Sequence, residues 1–470
     1  MTDDLRNRLQ ELTTLAEAVS LSREANRENH RRYVNPELVA MMGLMGFDKR
    51  FVRAEGTVLW DESGDEYLDF LGGYGALNLG HNHPDIEAAV ASVSELPNLL
   101  QASLNPLAGA LAHNLALLTP GDLQYSFFGN SGAEAVEGAL KLARAATGRT
   151  GILSCHGSFH GKTFGALSVT GRDKYRRPFE PLLPGVSFVS YGDISALKDA
   201  LAGGDIAAFI VEPIQGEGGI IVAPGGYLTE ARKLCTAAGT ALIIDEIQTG
   251  CGRTGRLFAC EHEDVVPDIM CVSKSFGGGL MPLSAYIASE EIWKRAYGGM
   301  EKATLHTSTF GGNTRAAAAG LAALEIICRD DLPGQAAVKG DYLLTKLSKL
   351  KERYPLIRDV RGRGLMIGLE IARPGDGVLN RLTGGAVGRM AEEYAGAMVA
   401  GELLNRHRIV TAYTLNNPSV IRLEPPLTIS YGQIDRLLEG LEDILSRNKG
   451  LGGMALSSAK TALGSLFKLG

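Results

Sequence analysis

The chain predicts an α/β fold in which a large domain, built on a mostly parallel sheet, carries a smaller α+β domain beside it. Three observations lead there. Short apolar runs alternate with helical patterns between residues 124 and 272, as they do where helices cover both faces of a sheet. Two of the runs, Ala241–Ile244 and Ile269–Val272, are continuously apolar, the pattern of strands buried on both faces. A length of 470 residues exceeds what one small core needs.

The first fifty residues are polar and helical in pattern and end in the Met-rich MMGLMG at 41–46, a composition suited to irregular packing. VLWDESGDEYLDF at 58–70 alternates and turns at Ser63, Gly64 and Asp65, which predicts an antiparallel hairpin. The glycine-rich loop that follows carries Tyr74. The large domain is expected over 96–345, with strands at Gln124–Phe128, Thr150–Ser154, Val186–Val189, Ala207–Val211, Ala241–Ile244 and Ile269–Val272. Residues 1–95 and 346–446 supply the small domain, where DVRGRGLMIGLEIA and VIRLEPPLTIS each read as a strand pair. RPGDGVLNRLTGGAVGRM at 373–390 reads as a surface loop or partial lid. In the tail, 447–470, Leu456, Ala459, Leu463, Leu466 and Phe467 share one helical face, a pattern for peripheral membrane contact, a partner helix or packing on its own subunit.

Composition excludes several classes. A formal charge of −6 leaves no nucleic-acid footprint. The six cysteines show neither a metal-ligand spacing nor a disulfide framework, so no metal and a reducing compartment are expected. MTDDLRNRLQEL lacks an apolar signal region, and no apolar stretch reaches membrane-spanning length; a soluble, cytoplasmic protein is the expectation. No GxGxxG or GxxxxGK[ST] opens a helix after a strand, which argues against nicotinamide or P-loop binding.

The chemistry concentrates where two apolar runs end. Asp245 emerges at the carboxyl end of the first, where open α/β sheets place ligands, and a carboxylate leaving a dry strand needs a cation or donors. Lys274 emerges after the second; an amine at the edge of an apolar layer loses its proton readily, as a Schiff-base lysine must. Each residue singly has an ordinary reading, as a turn or as solvated surface. Together, IIDEIQTGCGRTG and SKSFGGG resemble the site of the class III aminotransferases.

The resemblance runs from about residue 30 to 446 and implies pyridoxal 5′-phosphate (PLP), fold type I and a seven-stranded sheet. It assigns Lys274 to the Schiff base, Asp245 to the pyridine nitrogen and Gln248 to the ring hydroxyl. Phe159 and Ile247 sandwich the ring. In GNSGAEAVEG a strand turns into a helix whose free amides suit an anion; Ser131 is by itself an ordinary N-cap, but the resemblance gives Ser131, Gly132 and Ala133 to the phosphate. Ala133 replaces the usual Thr. In STFGGN, Thr309 is implied to reach the phosphate of the neighbouring subunit, so that the site is completed in a homodimer, with a tetramer as a further assembly; Thr314, where Pro is common, is expected to loosen that loop. VEPIQGEGGI and IRLEPPL match a gating pair, Glu217 and Arg422, in which the glutamate covers the arginine until an oxo acid needs it; a plain structural bridge is the alternative. Tyr74 lines the substrate entrance. Lys162 stands in FHGKT where ornithine-type members have Arg, and with CEHEDVVPDIMCVSK and TLNNPSVIRLEPPLT it looks more like the putrescine-acting members. The expected reaction is therefore ping-pong transamination from a diamine or omega-amino donor to 2-oxoglutarate or pyruvate. Acetylornithine or ornithine, or a terminal aldehyde on a lipid-like substrate, are the alternatives, and a scaffold that has lost catalysis is disfavoured by the presence of Lys274, Asp245 and Gln248 together.

Overall fold

The computed structural model describes residues 9, 11–100, 102–372 and 386–447. The amphipathic face expected in the tail and most of the expected surface connection, 373–385, lie outside the described residues. Residues 386–390 open a helix, Ala386–His407.

Strands β1 (Phe51–Glu55), β2 (Val58–Asp61) and β3 (Glu66–Asp69) form an antiparallel meander. The expected hairpin turn is present: Asp61 Oδ1 accepts the Ser63 and Asp65 N–H groups at 3.0 Å each. Strands β4 (Leu123–Gly129), β5 (Gly151–Cys155), β6 (Val186–Val189), β7 (Ile206–Val211), β8 (Ile214–Gln215), β9 (Ile221–Val222), β10 (Ala241–Asp245), β11 (Ile269–Val272) and β12 (Ser284–Ser289) follow. Seven of these make one sheet in the order β4-β12-β11-β10-β7-β5-β6, while β8 and β9 pair with each other. Within the sheet only β12 runs against its neighbours, so the sheet is mostly parallel, as expected.

All six predicted strands are present, within a residue or so. The seventh, β12, carries the sequence SAYIAS, whose serines and alanines give no apolar run, although all six residues are buried. Tyr286 from β12 fits because Gly138 faces it across the helix Gly132–Thr147: a Cβ at 138 would lie 2.1 Å from the Tyr286 ring. The burial of β7, β10 and β11 is complete; each buried Ile or Leu there contributes about 1.5–3 kcal/mol.

The smaller domain is a four-stranded antiparallel sheet, β13 (Ile357–Arg363), β14 (Met366–Ile371), β16 (Ala412–Tyr413) and β17 (Val420–Leu423), in the order β13-β14-β17-β16. Strand β15 (Ile409–Val410) instead joins β3 in parallel, tying the C-terminal part to the N-terminal meander. VIRLEPPLTIS is one strand and not a pair: it ends at Leu423, because Pro425 and Pro426 have no N–H to give a ladder.

Candidate active site

The parallel strands of the large sheet end together, and their carboxyl ends build the site. Asp245 closes β10, and Lys274 follows β11 by two residues. Phe159 and His160 come after β5, Glu212 directly after β7, and Ser131 after β4. Between them lies a cavity of about 190 Å³ whose walls include Gly132, Ala133, Phe159, Asp245, Ile247, Gln248 and Lys274. Seven of the residues singled out from sequence therefore meet in one place.

Asp245 is anchored on both oxygens. Oδ2 lies 2.7 Å from His160 Nδ1, and Oδ1 accepts the Ile247 N–H at 3.1 Å. His160 is buried; burial alone would lower its pKa, yet the hydrogen bond and charge of Asp245, with the charge of Glu212, raise it. His160 thus holds the carboxylate in place. Glu212 braces the neighbouring loops: Oε2 accepts the Phe159 N–H at 3.0 Å and Oε1 the Gly216 N–H at 3.2 Å. Burial pushes its pKa up to about 7, with the nearby Asp245 charge adding and His160 opposing.

Lys274 is half-buried, begins a short 3-10 turn and has φ +51. A non-glycine residue there costs about 1–3 kcal/mol and persists where the surroundings over-determine it. Burial lowers the Lys274 pKa, against the charges of Glu424 and Glu217. The amine is primed to be neutral.

A second cluster adjoins the cavity. Gln248 Nε2 donates to Glu424 Oε1 and Oε2 at 2.9 and 3.0 Å, so its nitrogen is already engaged. Gly216 allows this: a Cβ there would sit 1.9 Å from Gln248 Oε1. Arg422 is fully buried, with Nη2 2.6 Å from Glu217 Oε2 and Nη1 3.2 Å from Glu424 Oε2. The Glu217 contact is a close ion pair without an aligned hydrogen bond, and Arg422 Nε also has no hydrogen-bond partner among the described residues. Tyr74, with φ +59, lays its ring 5.0 Å from the Arg422 guanidinium. Glu217 and Arg422 therefore form a close buried ion pair.

Tyr74, Glu217 and Arg422 belong to this adjoining cluster and not to the cavity wall, and three further predicted residues lie outside both. Ser131 caps the helix Gly132–Thr147 in a capping box with Glu134, leaving the Gly132 and Ala133 amides at the cavity wall. Lys162 is exposed, with its ammonium 4.9 Å from the Tyr175 ring centroid. Thr309 lines a separate open cavity of about 640 Å³, with Leu99, Leu100, Phe127 and Phe128. Thr314 does not loosen the adjoining loop: its N–H and hydroxyl bond Asn98 and Pro97 carbonyls at 3.2 and 2.7 Å, a tie that proline could not make. Glu424 was not among the predicted residues. An acid two places after an arginine, at the end of an apolar strand pattern, was the available signal.

The donor set fits PLP. Amides at a helix start suit its phosphate, the Lys274 amine its aldehyde, the fixed Asp245 carboxylate its ring nitrogen, and the half-buried Phe159 and Ile247 its two faces. Among the described residues no cluster of His, Cys, Asp or Glu could hold a metal, and no helix is long and apolar enough to cross a membrane.

The fold and this donor set define a PLP-dependent transferase, and the family model "Aminotransferase class-III" matches residues 47–445. The chain belongs to the class III aminotransferases and is a transaminase that uses PLP. It is 46% identical over 435 residues to the putrescine aminotransferase of Pectobacterium atrosepticum, covering 89% of this chain and 88% of that protein. Among solved structures it is similar to the ornithine aminotransferase of Toxoplasma gondii ME49, at TM-score 0.80 and 30% identity, over 96% of this chain and 100% of that one. An amine transaminase from an uncultivated Pseudomonas species, in its PLP-bound form, matches at TM-score 0.76 and 30% identity, over 85% and 95% of the two chains.

Proposed function

We propose that this aminotransferase moves the terminal primary amino group of a diamine or related omega-amino compound, putrescine-like in length, to 2-oxoglutarate or pyruvate in a ping-pong cycle. The observation that carries the reading is the closed pair of Glu217 and buried Arg422, 2.6 Å apart. With the guanidinium covered, the pocket suits a donor that has no carboxylate at that end; with Glu217 moved aside, Arg422 meets the oxo acid. The putrescine aminotransferase relative favours the same donor class.

When bound, PLP supplies the electron sink that makes the carbon bearing the amine acidic. Lys274 would hold the cofactor through its amine and, once displaced, would serve as the base that moves a proton at the reacting carbon. Its lowered pKa supports that base role. Asp245, fixed by His160, keeps the ring nitrogen protonated. Phe159 and Ile247 hold the ring between them, and Gln248 orients the ring hydroxyl through its oxygen or its shared nitrogen. Gly132 and Ala133 take the phosphate with their amides, Ser131 shapes that turn, and Thr309 acts across a homodimer. The dimer reading is supported by Leu99, Leu100, Leu104 and Phe310, which leave apolar surface exposed beside the Thr309 cavity. Tyr74 lines the donor path. Lys162, turned onto Tyr175, offers no carboxylate fork to an ornithine-type substrate.

The test follows the visible band of the cofactor-loaded protein as putrescine, cadaverine, ornithine and acetylornithine are added singly without oxo acid. Fast bleaching by the two diamines and slow bleaching by the others is expected. Preference for ornithine or acetylornithine would overturn the donor assignment.

A further inference from the structure

Glu424 has no place in the two-residue pair of Glu217 and Arg422, yet it is fully buried against it. Its carboxylate accepts from Arg422 Nη1 at 3.2 Å and from Gln248 Nε2 at 2.9 and 3.0 Å. Its backbone is fixed as well: the Glu424 N–H bonds the Phe70 carbonyl at 2.8 Å, and a Cβ at Gly72 would lie 2.3 Å from the Glu424 carbonyl oxygen. Glu217, in contrast, sits in the short turn between β8 and β9 and is held by the Leu415 N–H at 2.8 Å and by Arg422. The Glu217 carbonyl also accepts the Asn416 N–H at 2.8 Å, so both backbones are held; the two acids differ in that Glu217 lies in a turn and keeps slight exposure, while Glu424 is fully buried.

We infer that Glu424 is a positioning residue that shifts the charge of the Glu217–Arg422 pair by one negative unit, so that the donor end of the site selects a second ammonium group. A lone glutamate and arginine alternate between neutral when closed and positive when open. With Glu424 fixed beside them, two carboxylates face one guanidinium in the closed form, an excess of one negative charge, and the open form is neutral. The closed form attracts a distal ammonium and repels a distal carboxylate. The open form still admits an oxo acid, because among the described residues Arg422 Nε has no hydrogen-bond partner and Nη2 is engaged by Glu217, so that both offer a donor edge once Glu217 departs. The reach of this charge is visible at the reacting end, where Glu424 is foremost among the charges that oppose the lowering of the Lys274 pKa.

The inference rests on the diamine reading and extends it. It is tested with three donors of equal length and different distal charge: putrescine, 1-aminobutane and 4-aminobutanoate. Bleaching rates of the visible band are compared for the unaltered holoenzyme and for Glu424→Gln, which keeps the size and an acceptor for Gln248. The unaltered enzyme should rank putrescine first and 4-aminobutanoate last. Glu424→Gln should lower the ratio of putrescine to neutral 1-aminobutane by on the order of tenfold to fiftyfold, the effect of one charge roughly 7–12 Å away at an effective dielectric near 20, and should raise the relative rate of 4-aminobutanoate in the opposite sense. Its rate with neutral 1-aminobutane should change least. Calorimetric titration with glutarate, an unreactive dicarboxylate, gives a second readout and should show tighter binding to the variant. An unaltered enzyme that does not favour putrescine over 1-aminobutane would overturn the diamine reading and this inference together. A variant that slows all three donors alike, with glutarate affinity unchanged, would overturn the inference alone and leave Glu424 a structural brace.

Discussion

Replacing Arg422 by leucine probes the buried charge cluster directly. The guanidinium is fully buried between Glu217 and Glu424, whose side chains are 9% and 0% exposed. Deleting one partner of a buried pair costs about 3–5 kcal/mol, and here two carboxylates lose their cation, which places the loss near the upper end. The two do not share it equally. Glu217 keeps the Leu415 N–H on its carboxylate and slight exposure, whereas Glu424, fully buried, retains only Gln248. A second change, Glu424→Gln, should therefore return roughly 2–3 kcal/mol of the loss, because neutralising a stranded buried charge removes most of its desolvation cost. Glu217→Gln in the same background should return less, about 1 kcal/mol, because the Leu415 N–H still satisfies that carboxylate. Arg422→Lys should not substitute, since an ammonium cannot span both carboxylates as a fork. Thermal unfolding of the unaltered holoprotein, of these four variants and of the two single glutamine changes, read as two double-mutant cycles, measures these differences. Equal rescue by the two glutamine changes, or a loss under 1 kcal/mol for Arg422→Leu, would refute the asymmetry on which the charge account depends.

Two further outcomes follow from the same neighbourhood. Glu212 binds its proton more tightly folded than unfolded, with a pKa pushed up to about 7, so its contribution to stability is greatest in acid and is lost as pH rises toward 7. Relative to Glu212→Gln, the native protein should lose at most about 3 kcal/mol between pH 4.5 and 7; melting curves across that window check it, and a constant difference would contradict the shift. Gly216→Ala should displace the Gln248 side chain, since the added methyl would meet Oε1 at 1.9 Å. Breaking its bonds to Glu424 should cost about 1.5–3 kcal/mol and slow both half-reactions, while Gly225→Ala, where nothing crowds the added atom, should be near neutral.

How much of this was legible beforehand depended on whether the signal was local. Strands β10 and β11 were readable because a strand buried on both faces leaves an unbroken apolar run, and the residues at their ends, Asp245 and Lys274, were readable because strand ends in such sheets face the ligand. Strand β12 escaped because its burial is enforced by neighbours such as Gly138, far away in sequence. VIRLEPPLTIS was read one strand too long because its apolar spacing continues past the point where two prolines end the hydrogen bonding. Lys162 was legible as a residue type, but its turn onto Tyr175 depends on a contact thirteen positions away, which no pattern encodes. Thr314 was read against a family habit; its anchorage to Pro97 and Asn98 is a long-range tertiary fact.

Glu424 shows why charged residues of a buried site are harder to read than apolar ones. Glu424 directly follows β17, and an acid two places from an arginine is most often a surface pair worth little. Its importance comes from complete burial, which raises the cost of any unbalanced charge and obliges every partner to be held in place. Gln248 supplies one partner, and it can do so only because Gly216 has no side chain. The positions of Gly216, Gln248, Glu424 and Arg422 thus constrain one another, and the charge presented to a substrate is a property of all four. On this account, a change of donor preference in a relative of this fold should require substitution at position 424, 248 or 216, and not at Arg422, which the proposed oxo acid half-reaction needs.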